Sequence, residues 1–128
     1  MPSPFYPVPL IGSYQMITVP FSLETSEKGA FKLATLPYRC KVISAKTAMT
    51  KAAAASDDAT ITIKKSSTTV ATVTITASAA IGDEDAAPSV TETVFETSDQ
   101  ISITPAKTTA GGRGMLYLTV EVLPSHQS

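Results

Sequence analysis

Apolar and polar residues alternate with hardly a break from Ala59 to Ile75. Ile61 and Ile63 share one side, with Thr60, Thr62 and Lys64 on the other. After Ser66-Ser67 the pattern resumes, with Ala71, Val73 and Ile75 set against Thr72, Thr74 and Thr76. A period of two is that of a strand with one face on a core, so the segment predicts a β-hairpin. The same alternation recurs along the chain. It predicts strands over about Tyr14 to Leu23 (Ile17, Val19, Phe21 and Leu23 inward), Ala30 to Thr35 and Tyr38 to Met49. Further strands are predicted over Ser89 to Glu96, Gln100 to Thr104 and Met115 to Leu123. Pro20 marks its strand as an edge or a bulge, and Pro105 is expected to end its strand. A phase slip near Ile43 to Ala45 predicts a bulge, and Cys40 and Val42 are expected inward. The Ala run in Lys51 to Asp58 predicts a loop or short helix. Ala77 to Pro88 reads as a connector with one helical turn and an acidic surface loop at Asp83-Glu84-Asp85.

Eight short β-branched strands with turn signals between them predict an all-β fold, a jelly roll or β-sandwich. Residues 14–124 form this domain. Residues 125–128 are expected to form a flexible tail, and residues 1–13 an extended N-terminal arm. Prolines 2, 4, 7 and 9 favour a polyproline-like arm, which at ~3.1 Å per residue spans roughly 35–40 Å. Phe5, Tyr6, Val8, Leu10 and Ile11 lie between and beyond the prolines, and a merely solvated linker has no use for them. Two readings stand: a terminal strand packed on its own domain, or an arm docked on a neighbouring subunit.

Composition narrows the function. At 128 residues the chain has the size of one domain. Charged residues are 16%, below the usual ~25%, and Thr, Ser and Ala fill the gap. Such a surface is cheap to desolvate and points to protein–protein contact. A net charge of −1 without a basic stripe gives nucleic acid nothing to hold. No apolar run approaches ~18 residues, so no membrane span is expected, and prolines interrupt any leader-like segment at the start.

Candidate chemistry is sparse. His126 is the sole histidine, in the tail, and Cys40 reads as a small buried hydrophobe. Neither has a partner for nucleophilic catalysis or metal binding, so no catalytic residue, metal or cofactor is assigned. The pairs and clusters Asp57/Asp58 and Asp83/Glu84/Asp85 read as turn chemistry, with partial calcium ligation and carboxylate catalysis as weaker alternatives. Gly111-Gly112-Arg113-Gly114 lacks the ending of a phosphate loop and reads as a hairpin loop with Arg113 at its tip. Outward residues of the last strand include Tyr117. The uncharged segment Val70 to Thr76 is an aggregation hazard if exposed, which favours a covering partner.

The stretch from Ser56 to Asp85, the segment Asp-Gln-Ile-Ser-Ile-Thr-Pro and the segment Ala-Gly-Gly-Arg-Gly-Met-Leu-Tyr-Leu-Thr-Val-Glu resemble small head-decoration (cement) proteins of tailed bacteriophages. The resemblance lies in texture and segment order over a little more than half of the domain. It implies a sandwich or jelly-roll module that sits on the outer head surface as a homotrimer and bridges major capsid protein subunits. It also implies assembly in the host cytoplasm, with no nucleic acid or membrane bound. The contact residues expected are Phe5, Tyr6, Val8, Leu10 and Ile11, then Arg113 and Tyr117. The other readings are a tail or fibre module that binds a surface glycan and, least favoured, an enzyme.

Overall fold

The structure is a computed structural model and describes residues 11–25 and 29–124. These hold nine strands and no helix. They are β1 (Tyr14–Ser22), β2 (Phe31–Lys32), β3 (Cys40–Lys51), β4 (Ala59–Lys65) and β5 (Thr68–Ile75). Then come β6 (Glu84–Ala86), β7 (Val94–Phe95), β8 (Ser102–Ala106) and β9 (Arg113–Val122). Two antiparallel sheets result: one ordered β1-β9-β3-β6, with β7 also on β3, and one ordered β2-β8-β4-β5.

The pairing is nested. β4 pairs with β5 at the tip, then β3 with β6 and β7, β2 with β8, and β1 with β9. The chain is thus one long folded ribbon. Rolling it brings β9 against β3 and β8 against β4, which completes the two sheets of a jelly roll. The inner faces meet through Val19, Phe21, Val42, Leu116, Leu118 and Val120 from one sheet and Ile61, Ile63, Val73, Ile75 and Ile103 from the other. Each such side chain contributes roughly 1.5–3 kcal/mol by leaving water. Burial alternates strictly along β9, from Gly114 to Val122, as the period-two pattern requires.

Ninth-strand status arises because β6 and β7 share one edge of β3, opposite Lys46–Ala48 and Cys40–Lys41 respectively. The expected strand over Ser89 to Glu96 is reduced to Val94–Phe95 and a single bridge between Val90 and Ala71. Glu84–Ala86, read from the sequence as part of a surface loop, is a strand. Three residues are too short to show a period, and the ladder to β3 is what makes them one. The Ala run forms no helix either. β3 extends to Lys51, and the Ala53 and Ala54 N–H groups bond to Ala79 and Gly111 across the molecule. Pro105 does not end its strand: it lies inside β8, buried, opposite Ile61.

Other expectations match. β3 carries a register shift between Val42 and Ser44, and Cys40 is buried. β1, with Pro20, is an edge strand. A register shift between Ile63 and Lys64 in the β4–β5 hairpin leaves Val70 and Ala71 both buried on β5. The Thr91 N–H donates to the Val70 carbonyl at 2.8 Å, so part of the hazardous β5 edge is covered from within the chain.

Candidate functional site

The acidic residues flagged in the sequence are occupied with local structure. Asp57, ahead of β4, accepts from the Lys107 ammonium at 3.0 Å and from the Thr108 and Thr109 N–H groups at 2.7 and 3.1 Å, just beyond β8. The Lys107 side chain is fully buried. The lysine and the two amides hold the Asp57 carboxyl well below the usual carboxylate range. Asp58 accepts from the Ala77 N–H, Asp83 from that of Ala80 and Asp99 from that of Glu96, each at 2.8 Å. Glu96 is paired with Arg39 at 2.9 Å. These are turn caps and clamps between loops, the role Asp commonly takes in turns.

The glycine loop is a packing device. The Gly111 N–H donates to the Leu23 carbonyl, the Leu23 N–H donates to the Gly112 carbonyl, and the Gly112 N–H donates to the Glu24 carboxylate at 3.0 Å. Both glycines have positive φ, and a Cβ on either would stand 3.0 Å from Ala53 or Ala54. Their amides are therefore spent on protein acceptors. Burial pushes the Cys40 thiol up to about 11, which makes it a poor nucleophile. Among the described residues no group of three or more His, Cys, Asp and Glu could hold a metal ion. His126 lies outside the described residues.

What the fold does assemble is a surface. The outer face of the β1-β9-β3 sheet is built in cross-strand rows set by the register. Tyr14, Glu121 and Lys41 form one row; Met16, Thr119 and Ser44 the next; Thr18, Tyr117 and Lys46 the third. Pro20, Met115 and Ala48 follow, then Ser22, Arg113 and Lys51. Tyr14 and Met16 are 63% and 61% exposed, and Ile11, at the root of the arm, is 67% exposed. Ile43, thrust outward by the β3 bulge, joins them on this side. Charge frames the patch. Lys41 pairs with Glu92 and Glu121 at one end, and Lys51 with Glu24 at the other.

Of the residues expected to make contacts, the fold brings Arg113 and Tyr117 onto this one face, four positions apart on β9. Arg113 sits among the charges of Glu24 and Lys51, and Tyr117 is half-buried between Thr18 and Lys46. Ile11 stands at its margin. Phe5, Tyr6, Val8 and Leu10 lie outside the described residues. Tyr14 and Met16 are not among the contact residues expected from the sequence, where the inward set of β1 is the stronger pattern. The available signal was two large apolar residues at the outward positions of a strand whose inward positions were already filled.

A second apolar feature adjoins the patch. Ile17, Val19, Leu33, Leu36 and Ile101 line a cleft of about 280 Å³ where the two sheets part, alongside β1.

No family model matches the chain, and no curated protein does. Among solved structures, the chain aligns to a protein of the virus-like particle of extra small virus from the giant freshwater prawn Macrobrachium rosenbergii. That alignment has 16% identity and a TM-score of 0.38, over 98% of this chain and 88% of the other. Overlap at that level transfers neither a role nor a site.

Proposed function

We propose that this protein is a structural capsid component, a decoration or cement subunit that attaches to the outer surface of a phage head and bridges major capsid protein subunits. The observation that carries the reading is the pair of large side chains Tyr14 and Met16, exposed at neighbouring outward positions of a sheet face framed by ion pairs, with Ile43 and Ile11 exposed nearby. Monomeric domains seldom leave such residues clustered in water, and clusters of this kind mark association sites. The low charge content and the resemblance of the hairpin and β9 segments to head-decoration proteins support the same reading.

The mechanism is mass action over many copies. Each subunit lays its β1-β9-β3 face, with Tyr117 and Arg113, and its arm residues Phe5, Tyr6, Val8 and Leu10 on neighbours. Grouping subunits in a trimer multiplies a modest contact into high avidity. Copy number per particle, measured by mass spectrometry against the major capsid protein, tests this. Hundreds of copies in simple ratio to the shell subunit are expected; a handful would assign the chain to a tail or fibre. The glycan-binding alternative takes the same tyrosines, Tyr14 and Tyr117, as a stacking surface. A glycan array with saturable hits lost in Tyr14→Ala would replace the cement reading.

A further inference from the structure

β1 is the edge of its sheet, and no strand among the described residues pairs with its outer side. The direction of its backbone groups follows from the bonds at its two ends. The Val122 N–H donates to the Ser13 carbonyl, and Leu23 exchanges bonds with Gly111 and Gly112. The register with β9 is unbroken between these points. Backbone groups in an antiparallel pair alternate in direction, so Gln15, Ile17, Val19 and Phe21 spend theirs on β9. Those of Tyr14, Met16 and Thr18 point to the free edge. Pro20 falls on the same parity, with a carbonyl but no N–H to leave unpaired, which is where an edge strand tolerates proline. The edge thus offers three complete donor–acceptor positions, at residues 14, 16 and 18.

The arm has the matching half. In an extended segment, residues two apart send their N–H groups to the same side. Tyr6, Val8 and Leu10 keep three donors on one side, and Pro7 and Pro9 remove the donors from the other. Such a strand adds to one edge and offers little for a further strand to join. In antiparallel pairing, 10 opposite 14, 8 opposite 16 and 6 opposite 18, Phe5, Pro7 and Pro9 fall on the inner side with Ile17 and Val19. That side opens on the cleft lined also by Leu33, Leu36 and Ile101.

The turn at Ile11–Gly12 argues against the chain's own edge as the seat. A two-residue hairpin loop at 11–12 would set 10, 8 and 6 opposite 13, 15 and 17, whose parity faces β9. A three-residue loop at 11–13 commonly needs a left-handed residue at its last position. Here Gly12, not Ser13, has the positive φ, at 82°.

We propose that residues 5–10 of one copy add as an antiparallel strand to the free edge of β1 in a second copy, with Phe5 closing the apolar cleft. This deepens the assembly reading by naming the arm's partner, and it takes from that reading only that copies meet. The contact is head-to-tail, so it closes into a ring or propagates.

The test uses the purified full-length chain with no head present, so failure to bind heads leaves it untouched. Sedimentation over a range of concentrations should show reversible association. Val8→Pro removes the central donor and should weaken association at least tenfold; Phe5→Ala should weaken it severalfold. Pro9→Ala leaves the donors in place and should keep it. Paired cysteines, Val8→Cys with Met16→Cys in a Cys40→Ser background, should oxidise to a covalent species of two or more chains. A monomer at all concentrations, association unchanged by Val8→Pro, or an intrachain Val8→Cys to Met16→Cys disulfide in the monomer would each overturn the proposal.

Discussion

The two outer faces of this sandwich are written in the same alternating code and end in opposite states. On the β2-β8-β4-β5 sheet the outward residues are Thr60, Thr62, Thr72 and Thr74, with Ser102, Thr104 and the lysines. On the β1-β9-β3 sheet the outward rows carry Tyr14, Met16, Pro20, Met115 and Tyr117. A hydroxyl face is content in water, since each oxygen keeps its hydration and the methyl covers the strand. An aromatic and thioether face leaves apolar area in water, and its removal by a partner is favourable. Inner faces of the two sheets look alike, because both are core. The outer faces are where they separate, and so where function is legible.

The largest expected effect comes from reversing the apolar face. The double substitution Tyr14→Glu with Met16→Lys should weaken head binding or self-association by about 2–4 kcal/mol, a roughly thirty-fold loss or more, by analogy with interface anchors. Melting should barely move, because both side chains are exposed. Intact binding would show that the patch is idle and end the contrast between the faces.

Next is the seam that holds the apolar sheet in shape. Gly114 faces inward opposite Phe21, and a Cβ there would sit 2.7 Å from both the Phe21 ring and the Ala48 carbonyl oxygen. Gly114→Ala should cost about 1–3 kcal/mol in chemical denaturation. It should reduce binding only as far as it unfolds the domain.

On the threonine sheet the sensitive point is the clamp joining the start of β4 to the end of β8. The unfolded Asp57 carboxyl takes up a proton near its ordinary value, ~3.9. In the folded protein the Lys107 ammonium and two amides keep it ionised to lower pH. The unfolded state therefore binds more protons in acid. The clamp's contribution is complete above that ordinary value and is lost as pH falls below it toward the folded value. Denaturation midpoints from pH 6 down to pH 2.5, on the order set by that carboxylate range, should fall more steeply for the natural protein than for Asp57→Asn. Equal slopes would mean that the clamp acts as a neutral turn.

Smaller still is Thr47, inward on β3 and fully buried, with an Oγ1 that has no hydrogen-bond partner among the described residues. Thr47→Val keeps the shape and removes the orphaned hydroxyl, and should stabilise the fold by about 1 kcal/mol. A loss instead would mean that the hydroxyl has a partner in solution. The matched control on the threonine face, Thr74→Lys, should change stability by less than about 0.5 kcal/mol and leave association as it is. An effect there equal to that at Tyr14 and Met16 would erase the difference between the faces.

The β4–β5 hairpin, β9, the inward set of β1 and the β3 bulge could be read directly from the chain. In each, period-two burial extends over enough residues to separate strand from loop and inside from outside. Asp83 could be read as a turn residue for an equally local reason, the reach of its carboxylate to the Ala80 amide, whereas the partners of Asp57, at Lys107, Thr108 and Thr109, are brought near only by the fold. β6 could not, because three residues carry no period and only the ladder to β3 gives them a conformation. For the Ala run the sequence leaves loop and short helix open, and backbone bonds from Ala53 to Ala79 and Ala54 to Gly111 decide for the loop. The strand order was equally hidden, since nested pairing joins residues a hundred positions apart. The candidate surface divides the same way. Tyr117 stands out as an outward residue of its strand, whereas Arg113, expected at a loop tip, is the first residue of β9 through its pairing with Ser22, and the union of both with Tyr14 and Met16 depends on β1 lying beside β9. Alternation is a property of neighbours along the chain and fixes which way each side chain faces. Which strands then lie side by side, and so what each face becomes, is decided by long-range backbone pairing and by the packing of one sheet on the other.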